Sequence, residues 1–106
     1  MRQFTLYIGL NDKVTKVQKI STIEAYKVVE NALRAHFEGA TIFEARGIYR
    51  HASGIFTTEN TLRIELLEFD GNDITQDVKQ VVNTLKIALN QESIAVQIQE
   101  VFSELW

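Results

Sequence analysis

The chain has 106 residues and a formal net charge of −3 at pH 7, with 45% hydrophobic and 24% charged residues. A chain of this length predicts one domain, spanning residues 1–106, and this composition is typical of a folded globular protein rather than a disordered one. The sequence has no cysteine, which excludes disulfide bonds, thiolate zinc sites and thiol nucleophiles.

The N-terminal segment predicts a half-buried strand, because Phe4, Leu6 and Ile8 alternate with polar residues. It lacks the features of a signal peptide, and no apolar run approaches the ~20 residues that cross a bilayer, so we expect a cytoplasmic protein. Ser21 and Glu24 then have the spacing of a capping box, which predicts the start of a helix with one apolar stripe.

Gly39 is predicted to end this first helix by taking a positive φ. A second strand is expected from about Ala40 to Tyr49, with Gly47 as a bulge or a point of close backbone approach. A hairpin turn over residues 51–54 then leads into a third strand. Its core-facing residues are predicted to be Leu62, Ile64 and Leu66.

The second half repeats this pattern. Asp73 and Gln76 have capping spacing before a second amphipathic helix of about four turns. Ile94, Val96 and Ile98 alternate in a final strand. The apolar tail 101–106 is expected to extend that strand or to form a short helix.

This order of elements predicts an α+β fold, a ferredoxin-like βαββαβ sandwich in which two helices pack on one face of a four-stranded antiparallel sheet. The same architecture supports enzymes, RNA binders, metabolite sensors and interaction modules. The fold alone therefore does not indicate a function.

The strongest asymmetry in the sequence is its charge. Residues 1–53 carry eight Lys/Arg and five Asp/Glu, whereas residues 54–106 carry three and nine. Acidic residues near the start of a helix are favoured by its dipole, but this effect does not explain all the acidic residues of the second half. We predict a partner-binding acidic surface that docks on a basic groove of a nucleic-acid-handling enzyme, with lysine replacements abolishing binding but not folding. Its residues are Glu65, Glu68, Asp70 and Asp73.

An alternative hypothesis places a small ligand on the open face of the sheet of a dimeric domain. Tyr7, Arg63 and Gln97 project from that face in the predicted strand phasing. A homodimer could enclose a pocket between two such faces. A third alternative is that the acidic surface serves only to keep the protein soluble.

Other chemistry finds little support in the sequence. His36 and His51 lie on different elements without a third ligand, so no metal site is predicted. No catalytic triad and no phosphate-binding glycine loop is present, and we expect a non-enzymatic protein without a cofactor. The third strand lacks the outward aromatic residue of an RNA recognition motif, and the net charge opposes direct nucleic acid binding.

Two basic groups are candidate contact patches, although exposed charges are usually only a solvated surface. One is in the loop after the first strand, and the other is near the predicted hairpin. The first consists of Lys13, Lys16 and Lys19, and the second of Arg46, Arg50 and His51.

Several short segments of the sequence form a further pattern, namely the run LYIGLND, the segment 36–41 and the segment 47–50, with Gly54 and Glu59. In these segments the chain resembles an uncharacterised family of small bacterial ferredoxin-like proteins. It implies this fold and a bacterial origin but no activity. Tyr49 stands where members of the family often have tryptophan. In general character, the small acidic chain is also similar to inhibitors encoded by mobile elements, such as anti-CRISPR proteins.

Overall fold

The computed structural model describes residues 1–50, 52–69 and 71–106. It has the predicted α+β architecture, with two helices and a four-stranded antiparallel sheet. The elements are, in chain order, β1 (Arg2–Gly9), α1 (Thr22–Arg34), β2 (Thr41–Arg50), β3 (Phe56–Leu67), α2 (Thr75–Ala88) and β4 (Ala95–Glu100).

The strands lie in the order β2-β3-β1-β4, which is the ferredoxin-like arrangement. Leu6 pairs with Ile64 on one side and with Val96 on the other, and Ile64 pairs with Ile42. Residues directly opposite each other point to the same face of a sheet, so these side chains define the face that meets the helices.

One hydrophobic core lies between this face and the two helices, as the alternating pattern predicts. The sheet contributes Phe4, Leu6, Ile8, Leu62, Ile64 and Leu66, α1 contributes Ala25, Val29 and Leu33, and α2 contributes Val78, Val81 and Leu85. Both helices of the described part of the chain lie on this side, and the opposite face of the sheet is open. None of the helices in the described residues is long and apolar enough to cross a membrane.

The predicted N-cap of α1 at Ser21 is confirmed, because the Ser21 hydroxyl accepts a hydrogen bond from the Glu24 N–H at 3.1 Å. The predicted stop at Gly39 is wrong. The helix ends at Arg34, and the N–H groups of His36 and Phe37 bond to the Leu33 carbonyl oxygen. This local turn satisfies a terminal carbonyl without a left-handed residue.

The start of α2 also differs from the prediction. Ile74 is its N-cap residue and makes no side-chain cap. Asp73 accepts hydrogen bonds from the Thr75 N–H and hydroxyl rather than from Gln76. The nearby carboxylate of Glu68 accepts the Ile74 N–H at 3.0 Å, so a long-range partner does part of the work of a local cap.

Two further expectations are corrected. Strand β2 pairs with β3 in unbroken register from Thr41 to Arg50, so Gly47 does not form a bulge. The close approach at Gly47 is made by the ring of Tyr49, whose nearest atoms would lie 2.9 Å from an added Cβ. The tail 101–106 is neither strand nor helix, although the Val101 N–H still bonds to the Met1 carbonyl oxygen.

Candidate functional site

The open face of the sheet brings together the side chains that the ligand hypothesis predicted. Tyr7 pairs with Arg63 across β1 and β3, and its hydroxyl donates to Gln97 Oε1 at 3.5 Å. The Arg63 guanidinium lies 5.9 Å from the centre of the Tyr7 ring and 5.5 Å from that of Phe43. Their shared face is confirmed, whereas a role in ligand binding stays a prediction.

Arg63 is mostly engaged within the chain. Its Nη2 donates to Glu65 Oε2 at 2.9 Å, and its guanidinium lies between two aromatic rings. Within the described residues, its Nε is buried and has no hydrogen-bond partner. Arg63 therefore links β1, β2 and β3 through its contacts in the middle of the open face.

A second group of residues occupies the end of this face, where β1 stops but the β2–β3 hairpin continues. Strand β1 pairs with β3 only as far as Gly9 opposite Thr61. Beyond that point β2 and β3 run on as a two-stranded ribbon to Arg50 opposite Phe56. The ribbon and the end of the sheet form two walls of a concave region.

The most constrained side chain in this region is Glu59. Its carboxylate lies directly over Gly9 of the neighbouring strand, in space that any side chain at position 9 would occupy. The Asn11 N–H donates to Glu59 Oε2 at 2.8 Å and fixes the carboxylate there. Glu59 Oε1 accepts no hydrogen bond from the described residues, so its capacity to accept one is unused within them.

A pocket of about 350 Å³ lies against this carboxylate. Its size is at the lower end of the range for small-molecule sites. Tyrosine rings from β1 and β2 contribute apolar surface, and two loops contribute polar groups. The lining residues are Tyr7, Gly9, Asn11, Asp12, Lys13, Lys16, Tyr49, Thr57, Glu59, Gln91, Glu92, Ser93 and Ala95.

Asp12 holds the two loops of the pocket together. Its buried carboxylate accepts hydrogen bonds from the N–H groups of Val14 and Thr15, both at 2.9 Å, and from the Asn90 side chain at 2.6 Å. These bonds, that from Asn90 above all, hold the pKa of Asp12 far below its ordinary value. The Gln91 side chain adds a bond to the Asn11 carbonyl oxygen at 2.7 Å.

The acidic residues of the partner-binding prediction lie at the other end of the sheet. Glu68 is buried, and Arg2 donates to both of its oxygens at 2.6 Å. Arg2 also donates to Asp73 at 3.0 Å, and Glu65 accepts from Gln3 and Arg63. Two predicted residues, Asp70 of this surface and His51 of the basic group, lie outside the described residues.

This network lowers the pKa of Glu68 through the hydrogen bonds from Arg2, and that of Asp73 through those from Thr75. Arg2 pairs with Glu68 and Asp73, and Arg63 pairs with Glu65, so each of the three described acids has a cationic partner within the chain. Of the three described acids, only Asp73 is largely exposed, with a side-chain exposure of 72%. Their role in partner binding stays a prediction.

The pocket was not apparent from the sequence, in which Gly9, within the run LYIGLND, and Glu59 stood out only as parts of a family resemblance. One signal was available, because a glycine inside a strand often marks the close approach of another group. Which group approaches Gly9 depends on the register between β1 and β3.

The fold and the pocket define a ferredoxin-like domain with a small-molecule-sized site at one end of its open sheet face. The chain belongs to the family described as "Protein of unknown function (DUF3574)", which matches residues 3–104. This membership confirms the predicted resemblance to an uncharacterised family. No curated protein sequence is significantly similar to the chain.

Several solved structures are similar to it. A phage SAM lyase in complex with S-methyl-5'-thioadenosine has 27% sequence identity and a TM-score of 0.70, over 93% of this chain and 80% of the lyase. The apo state of a phage SAM lyase has 22% identity and a TM-score of 0.69, over 92% and 78%. The CutA protein of Archaeoglobus fulgidus has 13% identity and a TM-score of 0.60, over 99% and 88%, and shares the fold alone.

Proposed function

We propose that the protein binds S-adenosylmethionine in the pocket beside Glu59 and cleaves it to S-methyl-5'-thioadenosine. The observation that carries the proposal is the Glu59 carboxylate, fixed over Gly9 with one oxygen free, in a chain 27% identical to a phage SAM lyase. The proposal departs from the expectation of a non-enzymatic protein, and an activity assay decides between them.

The pocket has the groups that such a ligand needs. Aromatic rings attract sulfonium and ammonium cations and stack on an adenine base. Tyr7 and Tyr49 supply these rings, and Tyr49 is half exposed, so its ring is accessible to a ligand. The free Oε1 of Glu59 can accept hydrogen bonds from ribose hydroxyls or from the ammonium group of the ligand.

The reaction can be balanced without a further reactant. The carboxylate of the methionine part attacks its own Cγ, a C–O bond forms, the Cγ–S bond breaks and the electron pair stays on sulfur. The products are S-methyl-5'-thioadenosine and a lactone. A negative and a positive charge disappear together in this step, and a pocket that holds the carboxylate near Cγ favours it by orienting the reacting atoms.

The experiment is incubation of the purified protein with S-adenosylmethionine, followed by chromatography of the products. We expect S-methyl-5'-thioadenosine from the wild-type protein and at least a tenfold lower rate from Glu59→Gln, because the charge is lost while the shape is kept. Glu44→Gln is the matched control, since Glu44 is exposed on the helix-side face of β2. Absence of product from the folded wild-type protein would overturn the proposal.

The hypothesis of an inhibitor that docks through its acidic surface is kept as a second, narrower candidate. The exposed carboxylate of Asp73 favours it, whereas Glu68 is buried and not accessible to a partner. The test is affinity capture from a cell lysate with the wild-type protein and with Asp73→Lys. Capture of one nucleic-acid-handling enzyme by the wild type, and its loss in the variant, would support this candidate. Equal capture by both would exclude it.

A further inference from the structure

The pocket beside Glu59 is lined by charged residues of both signs. The Glu59 carboxylate on β3 lies with Tyr7 of β1 in one part of the lining. Another part consists of Lys13 and Lys16 from the loop between β1 and α1, together with the acids Asp12 of that loop and Glu92. An amino-acid ligand that carries both a cation and a carboxylate would be complementary to such a lining.

The loop that carries the lysines is fixed rather than free. The Lys16 N–H bonds to the Asp12 carbonyl oxygen at 2.8 Å, and the Lys13 N–H bonds to the Asn90 carbonyl oxygen at 3.1 Å. Lys16 has a φ of 62°, a left-handed conformation that a non-glycine residue adopts only where its surroundings hold it. The two ammonium groups are therefore attached to a preorganised part of the backbone.

Both lysines are also electrostatically unpaired. Across residues 1–50, 52–69 and 71–106, neither forms an ion pair. The nearest candidate on their own loop is Asp12, but its carboxylate already accepts three N–H hydrogen bonds and lies 3.7 Å from the Lys19 ammonium. Lys13 and Lys16 thus remain available to an anionic group in the pocket.

We propose that Lys13 and Lys16 bind the α-carboxylate of the sulfonium ligand and make the pocket selective for ligands that carry one. This inference rests on the proposed function and adds the feature by which the substrate is selected. One carboxylate oxygen would pair with an ammonium group while the other remains free to attack Cγ. The lysines are positioning and specificity residues, because they act on the orientation of the carboxylate.

The experiment compares the KM for S-adenosylmethionine, from the rate of product formation, with the inhibition constant of its decarboxylated form, which lacks the attacking carboxylate and is not cleaved. The decarboxylated form keeps the adenosine, the sulfonium and the amine and lacks only the carboxylate. We expect the wild-type protein to prefer S-adenosylmethionine about tenfold. In a Lys13→Ala/Lys16→Ala variant this preference should fall to about twofold, because a loss of this size is typical of solvent-accessible ion pairs. Added salt should also reduce the preference of the wild-type protein, because it screens the attraction between the lysines and the carboxylate.

The matched control is Lys27→Ala/Lys79→Ala, which removes two exposed lysines from the helices and leaves the same net charge as the test variant. It should keep the wild-type preference. Equal affinity of the wild type for both ligands, or an unchanged preference in Lys13→Ala/Lys16→Ala, would overturn this inference and leave binding of S-adenosylmethionine intact. Failure of the wild type to bind either ligand would overturn the proposed function as well.

Discussion

The carboxylate of Glu59 on β3 occupies the space where a side chain at Gly9 on β1 would lie. A methyl group at position 9 would collide with the Glu59 carboxyl carbon and both of its oxygens. The Asn11 N–H, just after the end of β1, donates a hydrogen bond to the carboxylate and holds it in this place. A residue with no side chain is therefore what allows an acid of another strand to reach the floor of the pocket.

Gly9→Ala is expected to displace the Glu59 carboxylate while leaving the sheet intact. The glutamate side chain can rotate away, so the fold is retained with a decrease in stability of about 1 kcal/mol. Formation of S-methyl-5'-thioadenosine should fall at least tenfold, as in Glu59→Gln. The assay is product chromatography, with the melting temperature measured in parallel.

Gly39→Ala is the control for this experiment. An added Cβ at Gly39 meets no atom within 4 Å, so the variant should behave as the wild type. If Gly9→Ala retains full activity, the position of the Glu59 carboxylate is not important for the reaction.

Asp12 makes the stability of the fold depend on pH. Its pKa is lowered in the folded protein from an ordinary value of 3.8, first through the Asn90 hydrogen bond, so it binds a proton more readily when unfolded. The stabilisation is complete above the unfolded pKa and is lost as the pH falls below about 4 towards the folded pKa. We expect the melting temperature to fall over this window, and less steeply in Asp12→Asn.

Glu68 and Asp73 also have lowered pKa values in the folded protein, so their contribution to stability is likewise lost as the pH falls. Part of the acid dependence should therefore persist in Asp12→Asn. A melting temperature with the same slope against pH in the wild type and in the variant would contradict the role of Asp12.

Glu68→Lys is expected to destabilise the fold. The Glu68 side chain is 8% exposed and pairs with Arg2. A lysine at position 68 would put a second positive charge beside Arg2 where little water can solvate it, which destabilises the fold. We expect the melting temperature to fall by about 10 °C or more. Asp73→Lys should change it by only a few degrees, because that side chain is 72% exposed.

Thermal unfolding followed by circular dichroism measures both variants. This expectation differs from the prediction that lysine replacements would leave the fold unaffected. Equal melting temperatures of the Glu68→Lys variant and the wild type would show that the Arg2–Glu68 pair contributes little to stability.

Trp106, the only tryptophan of the chain, reports on whether the apolar tail is covered in solution. Together with Phe102 and Leu105 it is almost fully exposed. We expect its fluorescence emission and its quenching by iodide to match those of a free tryptophan derivative at low protein concentration. A blue-shifted emission that returns to the free value on dilution would mean that a second copy covers the tail.

The hydrophobic pattern was sufficient to predict the fold. Alternation in β1 and β3 and the 3.6-residue stripes of α1 and α2 each predicted which residues form the core, and the order of elements left few topologies. Helix ends were less predictable. Glu68 reaches the start of α2 from the end of β3, and no local spacing indicates such a partner.

The residue patterns were enough for the elements, for the buried faces of β1, β3 and the two helices, and for the family, because these depend on patterns within one segment or along the chain. The site instead depends on tertiary contacts. Register places Glu59 over Gly9, the Asp12–Asn90 bond joins two distant loops, and Arg2 neutralises Glu68. Each of these is a contact between residues far apart in sequence, and it depends on how the strands pair and how the loops fold back on them.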